Sequence, residues 1–240
     1  MSDYLAILGR QPELSLVELE SLLGAAAVVP FGSNTAVLSG AIDIDRLGGV
    51  IKTGVVIYRG PVAPVEVLPL DWEALRGERA GKLAFGLSYY GARATPRSVL
   101  ATGLELKKQL KAAGPIRFIA PSAGGILSAA QLHHHRVLEN GFELLVVVAG
   151  RELIVACTTG FQDIEAYSAR DYGRPARSAK VGMLPPKLAQ ILVNTTHAAT
   201  VVDPFCGTGV VLQEALLLGR PAIGSDAAAL AAFAEQRRWV

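Results

Sequence analysis

A short loop near residue 205 has the composition of a ligand-binding turn. The stretch VVDPFCGTGVV spans residues 201–211, so apolar runs flank the loop from Asp203 to Gly209. Glycines at positions 207 and 209 permit a tight turn and let a ligand approach the backbone without a Cβ in the way. A helix that begins after the loop offers its first amide groups to a carboxylate or a phosphate.

Asp226 is a second candidate ligand-binding residue. The segment PAIGSD predicts a strand that ends at Asp226, 17 residues after Gly209. A strand, a glycine loop, a helix and a second strand form the first half of a nucleotide-binding βαβ unit. In such a unit an acidic residue at the tip of the second strand accepts hydrogen bonds from ribose hydroxyls.

The loop does not match the two commonest nucleotide motifs. Val210 and Val211 follow Gly209, so the G-x-G-x-x-G pattern of dinucleotide sites is not met. The chain also contains no G-x-x-x-x-G-K-[ST] phosphate loop. An acidic residue that opens the loop, together with Asp226 on the second strand, favours S-adenosylmethionine as the ligand.

Short alternating elements precede this loop. The first 75 residues predict an α/β mini-domain, in which Ser15 and Glu18 form a capping box and Gly24 ends the helix. After it, Thr95-Pro96 and Gly114-Pro115 bracket a helix, and two apolar runs pair as a hairpin around Gly150. That hairpin makes the class α+β. Strands are expected at 4–8, 35–39, 54–59, 83–90 and 116–120, a helix near 127–139, and an aperiodic linker from 161 to 182.

Composition fits folded domains in reducing surroundings. The 240 residues are 51% hydrophobic, enough for one to three cores. Cys157 and Cys206 are far apart and show no C-x-x-C spacing, which favours a cytoplasmic location. The first 15 residues lack the features of a targeting signal. The uncharged stretch 118–135 contains proline, glycines and histidines, so we expect no membrane span.

The charge distribution is uneven although the net charge is only +2. Residues 1–75 hold four basic and nine acidic side chains, whereas residues 76–117 hold nine basic and two acidic ones. Lys107, Lys108 and Lys111 cluster on one flank of a predicted helix, and Arg117 lies on the strand that follows. These four cations form either a solvated surface or, as we expect, a contact surface for RNA phosphates.

Three consecutive histidines, His133 to His135, do not indicate a metal site. On a helix their side chains point in three directions, so they cannot all bind one ion. We therefore expect no metal.

Several motifs together resemble the THUMP-domain RNA methyltransferases, specifically the tRNA guanine-N2 methyltransferases that act at tRNA position ten. The resemblance covers nearly the whole chain. It is carried by YLAILGRQPELS (4–15), GLSYYG (86–91), LKKQLK (106–111), QDIEAYSARDYGRP (162–175), GMLPPKLAQILVN (182–194) and DPFCGTG (203–209).

The resemblance implies a domain order and a set of binding residues. A ferredoxin-like domain (1–75) and a THUMP domain that binds the tRNA acceptor end (76–165) precede a linker (166–182). The start of a Rossmann-like class I methyltransferase domain follows (183–240). By this likeness the methionine part of S-adenosylmethionine contacts Asp203, Pro204, Phe205, Cys206, Gly207, Thr208 and Gly209, and its ribose contacts Asp226.

One family motif is absent. Family members carry an Asp-Pro-Pro-Tyr-like motif beyond the second strand that holds the guanine amine, whereas the only Pro-Pro here, Pro185-Pro186, precedes the glycine loop. No catalytic residue is therefore assigned, and we expect the N-terminal portion of the enzyme with about two of the seven strands of its methyltransferase sheet. The alternatives are a non-catalytic tRNA-binding protein, one half of a split enzyme completed by a second chain, or an amino-methyltransferase acting on another RNA or DNA.

Overall fold

A computed structural model describes residues 2–79, 81–91, 94–122, 124–173 and 184–227. The strands are β1 (Tyr4–Leu8), β2 (Val28–Pro30), β3 (Thr35–Leu38), β4 (Val50–Pro61), β5 (Leu83–Tyr90), β6 (Ile116–Ile119), β7 (Gly141–Ala149), β8 (Glu152–Phe161), β9 (Val201–Asp203) and β10 (Ala222–Gly224). The α-helices are α1 (Pro12–Leu23), α2 (Trp72–Arg76), α3 (Pro96–Leu110), α4 (Ala129–His134), α5 (Val137–Asn140), α6 (Ile164–Tyr172), α7 (Pro186–Thr195) and α8 (Val210–Leu217).

The chain forms two compact units that interleave along the sequence. The first unit comprises Met1–Leu8, Ala27–Ile44 and Ile51–Gln162. The second comprises Gly9–Ala26, Asp45–Val50 and Asp163–Val240.

The first unit is built on one eight-stranded mixed sheet with the order β2-β3-β1-β4-β8-β7-β5-β6. Strand β5 runs parallel to β6 and β7, whereas β7 and β4 are both antiparallel to β8. The expected hairpin around Gly150 is confirmed as β7–β8, and Gly150 adopts a φ of 59° in its turn. Large mixed sheets with helices on them define an α/β arrangement.

Both faces of this sheet are covered. Successive side chains of a strand point to opposite faces, and β7 contributes to two separate cores in alternation. Phe142, Leu144 and Val146 belong to one core, while Leu145 and Val147 belong to the other. The central strands are therefore apolar on both faces.

A buried ion pair lies within the sheet of the first unit. The Lys52 ammonium contacts Glu143 Oε1 at 2.5 Å and donates to the Leu127 carbonyl at 2.8 Å. Thr158 Oγ1 donates to the other carboxylate oxygen at 2.7 Å, and Ser88 Oγ also donates to Glu143. Both charged side chains are at most 3% exposed. Four strands are thus joined by one polar cluster.

The second unit contains a small parallel sheet and four helices. Strands β9 and β10 pair in parallel, and α8 connects them. A core formed by Val193, Val201 and Ala215 lies between the sheet and the helices α7 and α8. The strand, loop, helix and strand predicted from residues 200–226 are confirmed. The helix expected after Asp226 lies outside the described residues.

The predicted capping box at Ser15 and Glu18 is wrong. Helix α1 begins three residues earlier, with Gln11 as N-cap and Pro12 at its first position, so both residues lie inside the helix and are buried. Ser15 Oγ donates to the Gly49 carbonyl at 2.7 Å. Gly48 N and Gly49 N donate to the Glu18 carboxylate at 2.9 and 2.8 Å.

The Glu18 carboxylate links α1 to α7. Asn194 Nδ2 donates to Glu18 Oε1 at 2.8 Å and to the Arg46 carbonyl at 2.7 Å. Burial raises the pKa of Glu18 above its ordinary value, and the hydrogen bonds from Asn194, Gly48 and Gly49 oppose that shift.

The helix expected over 127–139 is divided in two. Arg136 adopts a left-handed conformation with a φ of 49°, which ends α4 and begins α5. Sequence periodicity cannot detect a single left-handed residue, and no glycine marks the break.

The expected ferredoxin-like and THUMP domains, with boundaries at 75, 165 and 182, stay predictions. Strand β4 pairs with β8, so the first two expected segments share one sheet. Residues 166–172 of the expected linker lie in α6, which Asp163 caps. Residues 174–183 lie outside the described part of the chain.

Candidate functional site

The glycine loop lies at the carboxyl edge of the β9–β10 sheet. Asp203 Oδ1 accepts a hydrogen bond from Phe205 N at 3.1 Å, and Gly209 N donates to the Cys206 carbonyl at 2.7 Å. Gly207 and Gly209 have φ values of 50° and 81°, in the left-handed region that favours glycine. The loop is therefore a compact turn that the two glycines permit.

Strand β10 holds the loop from the other side. Ser225 N donates to the Asp203 carbonyl, and Cys206 N donates to the Ser225 carbonyl, both at 3.0 Å. Gly207 N donates to Asp226 Oδ2 at 2.8 Å. The structure thus brings the loop and Asp226 together, and it shows one Asp226 oxygen bonded to the loop backbone.

The side chains of the loop differ in exposure. Phe205 is 85% exposed and Pro204 is exposed, whereas Cys206 is buried and Thr208 is half-buried. Burial raises the pKa of the Cys206 thiol, and the nearby carboxylates of Asp203 and Asp226 raise it further. The thiol therefore stays protonated at neutral pH and is a poor nucleophile.

A buried ion pair that the sequence did not reveal supports the helix after the loop. Glu214, on α8, is 1% exposed and contacts Arg170 Nε at 3.0 Å. The Arg170 guanidinium lies 4.2 Å from the centre of the Tyr167 ring. Tyr167 in turn donates to the Leu47 carbonyl at 3.1 Å and to Gln190. These contacts join α6 to α7 and α8.

The predicted RNA-binding lysines lie at the end of α3 and in the turn after it. Thr95 caps this helix and Val99, Gly103, Leu106 and Leu110 form its buried stripe, as expected from the sequence. Lys108 and Lys111 are exposed, whereas Lys107 is half-buried. Lys108 Nζ pairs with Glu105 at 2.8 Å, so one of the three lysines has an acidic partner.

Arg117 lines a separate basic depression with a volume of about 440 Å³. Strands β5 and β6 both begin at this depression, since Leu83 pairs with Ile116 and Ala84 with Arg117. The polar residues around it include Arg79, Lys82, Arg117, His134, His135 and Arg136. The three predicted lysines are not among its lining residues. The basic excess of residues 76–117 was the sequence signal for Arg79 and Lys82, but Arg136 had none.

The structure also bears on metal and membrane binding. The rings of His134 and His135 meet edge to face at 4.9 Å. Within the described residues, no group of three or more His, Cys, Asp or Glu side chains is arranged to hold a metal ion. Every helix in the same part of the chain is too short or too polar to cross a membrane.

Comparison with known proteins shows a shared fold. No protein-family model matches the chain. TrmN from Thermus thermophilus superposes with a TM-score of 0.53 at 17% identity, over 94% of this chain and 65% of that one. SMU.472, solved in complex with SAH, superposes with a TM-score of 0.51 at 14% identity, over 91% of this chain and 55% of that one. The chain therefore spans 55–65% of the length of these two structures.

A short segment also matches a curated protein. It is 44% identical over 48 residues to the tRNA (guanine(10)-N2)-dimethyltransferase of Methanothermobacter thermautotrophicus. The match covers 19% of this chain and 14% of that protein.

Proposed function

We propose that this chain is part of an S-adenosylmethionine-dependent methyltransferase that modifies the exocyclic N2 amine of a guanine in tRNA. One observation carries the proposal. The loop from Asp203 to Gly209 and the carboxylate of Asp226 meet at the carboxyl edge of two parallel strands, where ligands bind in open α/β sheets. The shared fold with TrmN and the short match to a tRNA guanine methyltransferase support it.

The groups at this edge fit S-adenosylmethionine better than a phosphate-rich nucleotide. Asp203 and Asp226 are acceptors suited to hydroxyl and ammonium groups, and two carboxylates repel phosphates. Gly207 and Gly209 leave the backbone accessible, and α8 begins at Val210 directly after the loop. When bound, S-adenosylmethionine supplies a methyl group attached to a positively charged sulfur.

Each loop residue has a proposed role. Asp203, Gly207, Thr208 and Gly209 contact the methionine part, and Asp226 contacts the ribose. Pro204 and Phe205 form the exposed wall of the loop, and Cys206 fills the space beneath it. Asp226 can serve the ribose through one oxygen while the other keeps its hydrogen bond to Gly207 N.

The proposed base-holding group does not come from this sequence. An exocyclic amine reacts only when acceptors orient its lone pair toward the methyl group. Pro186 is instead buried at the first position of α7. We therefore propose that this chain supplies the cofactor loop and the tRNA-binding surface, and that transfer also needs an Asp-Pro-Pro-Tyr-like motif.

Amide NMR of the chain during titration with SAH tests the cofactor site. We expect the resonances of Gly207, Gly209 and Asp226 to shift at millimolar SAH, and Asp226→Asn to weaken the effect. Glu20→Gln, at an exposed position on α1, is the matched control and should leave the titration unchanged. If millimolar SAH moves none of these resonances, the loop does not bind the cofactor. Micromolar affinity would instead show that the pocket is complete in this chain.

Transfer of labelled methyl groups to tRNA tests the second part. We expect no incorporation with the chain alone, because the acceptors for the guanine amine are not in its sequence. Incorporation by the purified chain would show that other residues perform this role.

A further inference from the structure

The basic depression beside Arg117 has the electrostatics of an anion site. Arg79, Lys82, Arg117 and Arg136 contribute four permanent positive charges, and no carboxylate is among the lining residues. One nearby acid offsets this charge, since Glu139 pairs with Arg136. The balance remains positive, so the depression attracts phosphate.

The Arg117–His135 contact fixes the state of one imidazole. Arg117 Nη2 lies 3.3 Å from His135 Nδ1. A guanidinium can only donate, so Nδ1 must accept and the ring proton lies on Nε2. Burial lowers the pKa of His135, and Arg117 and His134 lower it further. At neutral pH His135 is therefore a neutral ring with one N–H donor.

Neutral rings beside cations suit a nucleotide rather than phosphate alone. His134 is exposed and meets His135 edge to face, so its own face is available to an aromatic ligand. Bases that are splayed out of single strands stack on aromatic and histidine side chains. The volume of about 440 Å³ lies in the range of small-ligand sites.

We propose that the basic depression binds one nucleotide of single-stranded RNA. Its phosphate lies against Arg117 and Lys82, and its base stacks on His134. This proposal rests on the RNA binding put forward above and places a contact away from the lysines of α3. A duplex fits poorly, because its bases are stacked inside the helix and cannot enter a concave site.

Binding of a short unstructured RNA oligonucleotide, measured by fluorescence anisotropy, tests the site. We expect Lys82→Gln with Arg117→Gln to weaken binding at least tenfold at low salt. The slope of log affinity against log salt should flatten by about 1.4, since each lost contact with a single strand removes about 0.7. The matched control is Arg151→Gln, which removes an exposed charge at the β7–β8 turn and should change the affinity less than twofold.

Substitutions at His134 separate stacking from charge. We expect His134→Ala to weaken binding about tenfold without altering the salt slope, and His134→Phe to retain the affinity. A duplex of the same sequence should compete poorly with the single strand.

Three results would overturn the proposal. Equal losses for the double variant and for Arg151→Gln would show diffuse attraction, and RNA binding itself would stand. Equal competition by duplex, or tighter binding by His134→Ala, would remove the stacked base. If the wild-type chain binds no RNA at low salt, both this site and the proposed tRNA binding fail.

Discussion

At the scale of single residues, Glu18 shows how a buried carboxylate can hold a loop. Its two oxygens accept hydrogen bonds from the backbone of Gly48 and Gly49 and from Asn194. Backbone amides in a buried loop need such acceptors, because unpaired buried donors are costly.

We expect Glu18→Gln to lower the free energy of unfolding by about 1–3 kcal/mol, since the new amide would face a backbone N–H. Burial raises the pKa of Glu18 above its ordinary value of 4.5, so the folded protein binds this proton more tightly than the unfolded chain does. The stabilisation is full below pH 4.5 and declines as the pH rises through the raised pKa.

The difference between wild type and Glu18→Gln should therefore be larger near pH 4.5 than at neutral pH. Urea denaturation at several pH values measures it, with the exposed Glu20→Gln as control. A difference that grows with pH would show that the hydrogen bonds outweigh burial at this site.

At the scale of elements, the Lys52–Glu143 pair joins four strands of the large sheet. Lys52→Met leaves the Glu143 carboxylate buried without its cation, and we expect a loss of about 3–5 kcal/mol in unfolding free energy. Adding Glu143→Gln removes the uncompensated charge, so the double variant should be more stable than Lys52→Met. A double variant that loses the sum of both single effects would contradict this coupling.

The β9–β10 pair offers a second element-scale prediction. Val202 and Ile223 pair in register and are 64% and 61% exposed. Two-stranded sheets are marginally stable in water. We expect the amides of β9 and β10 to exchange with deuterium much faster than those of β7. Exchange as slow as that of β7 in a dilute monomer would contradict this prediction.

Elements with local signals were predictable from the sequence. Strand β5 was predicted at its observed bounds, and α3 begins where Thr95 and Pro96 indicated. The glycine loop was recognised because its residues are contiguous. The Glu18 network, the Lys52–Glu143 pair and the basic depression were not, since each joins residues far apart in sequence. Arg136 in the depression lies 57 positions from Arg79.

At the scale of the whole molecule, tRNA binding should depend on the lysines near the end of α3. Replacing Lys107, Lys108 and Lys111 with alanine should weaken binding across RNA sequences, because phosphate contacts position the RNA without reading its bases. The salt slope should flatten by up to about three units. The half-burial of Lys107 and the Lys108–Glu105 pair favour a smaller change.

Filter binding with whole tRNA and with tRNA that lacks its 3′ end measures this effect. We expect weaker binding of the shortened tRNA if the acceptor end is contacted. Equal binding of both RNAs, or an unchanged triple variant, would exclude this surface.

The pairing of β4 with β8 also determines when the large sheet can assemble during synthesis. Val55 lies opposite Cys157, so about 100 residues must be translated between the two strands, which takes roughly 5–20 s on a ribosome. During that interval β4 has β1 on one side and an open edge on the other. An open edge can pair with another nascent chain. The nascent protein is therefore most prone to aggregate before Phe161 emerges, and chaperone demand should peak there.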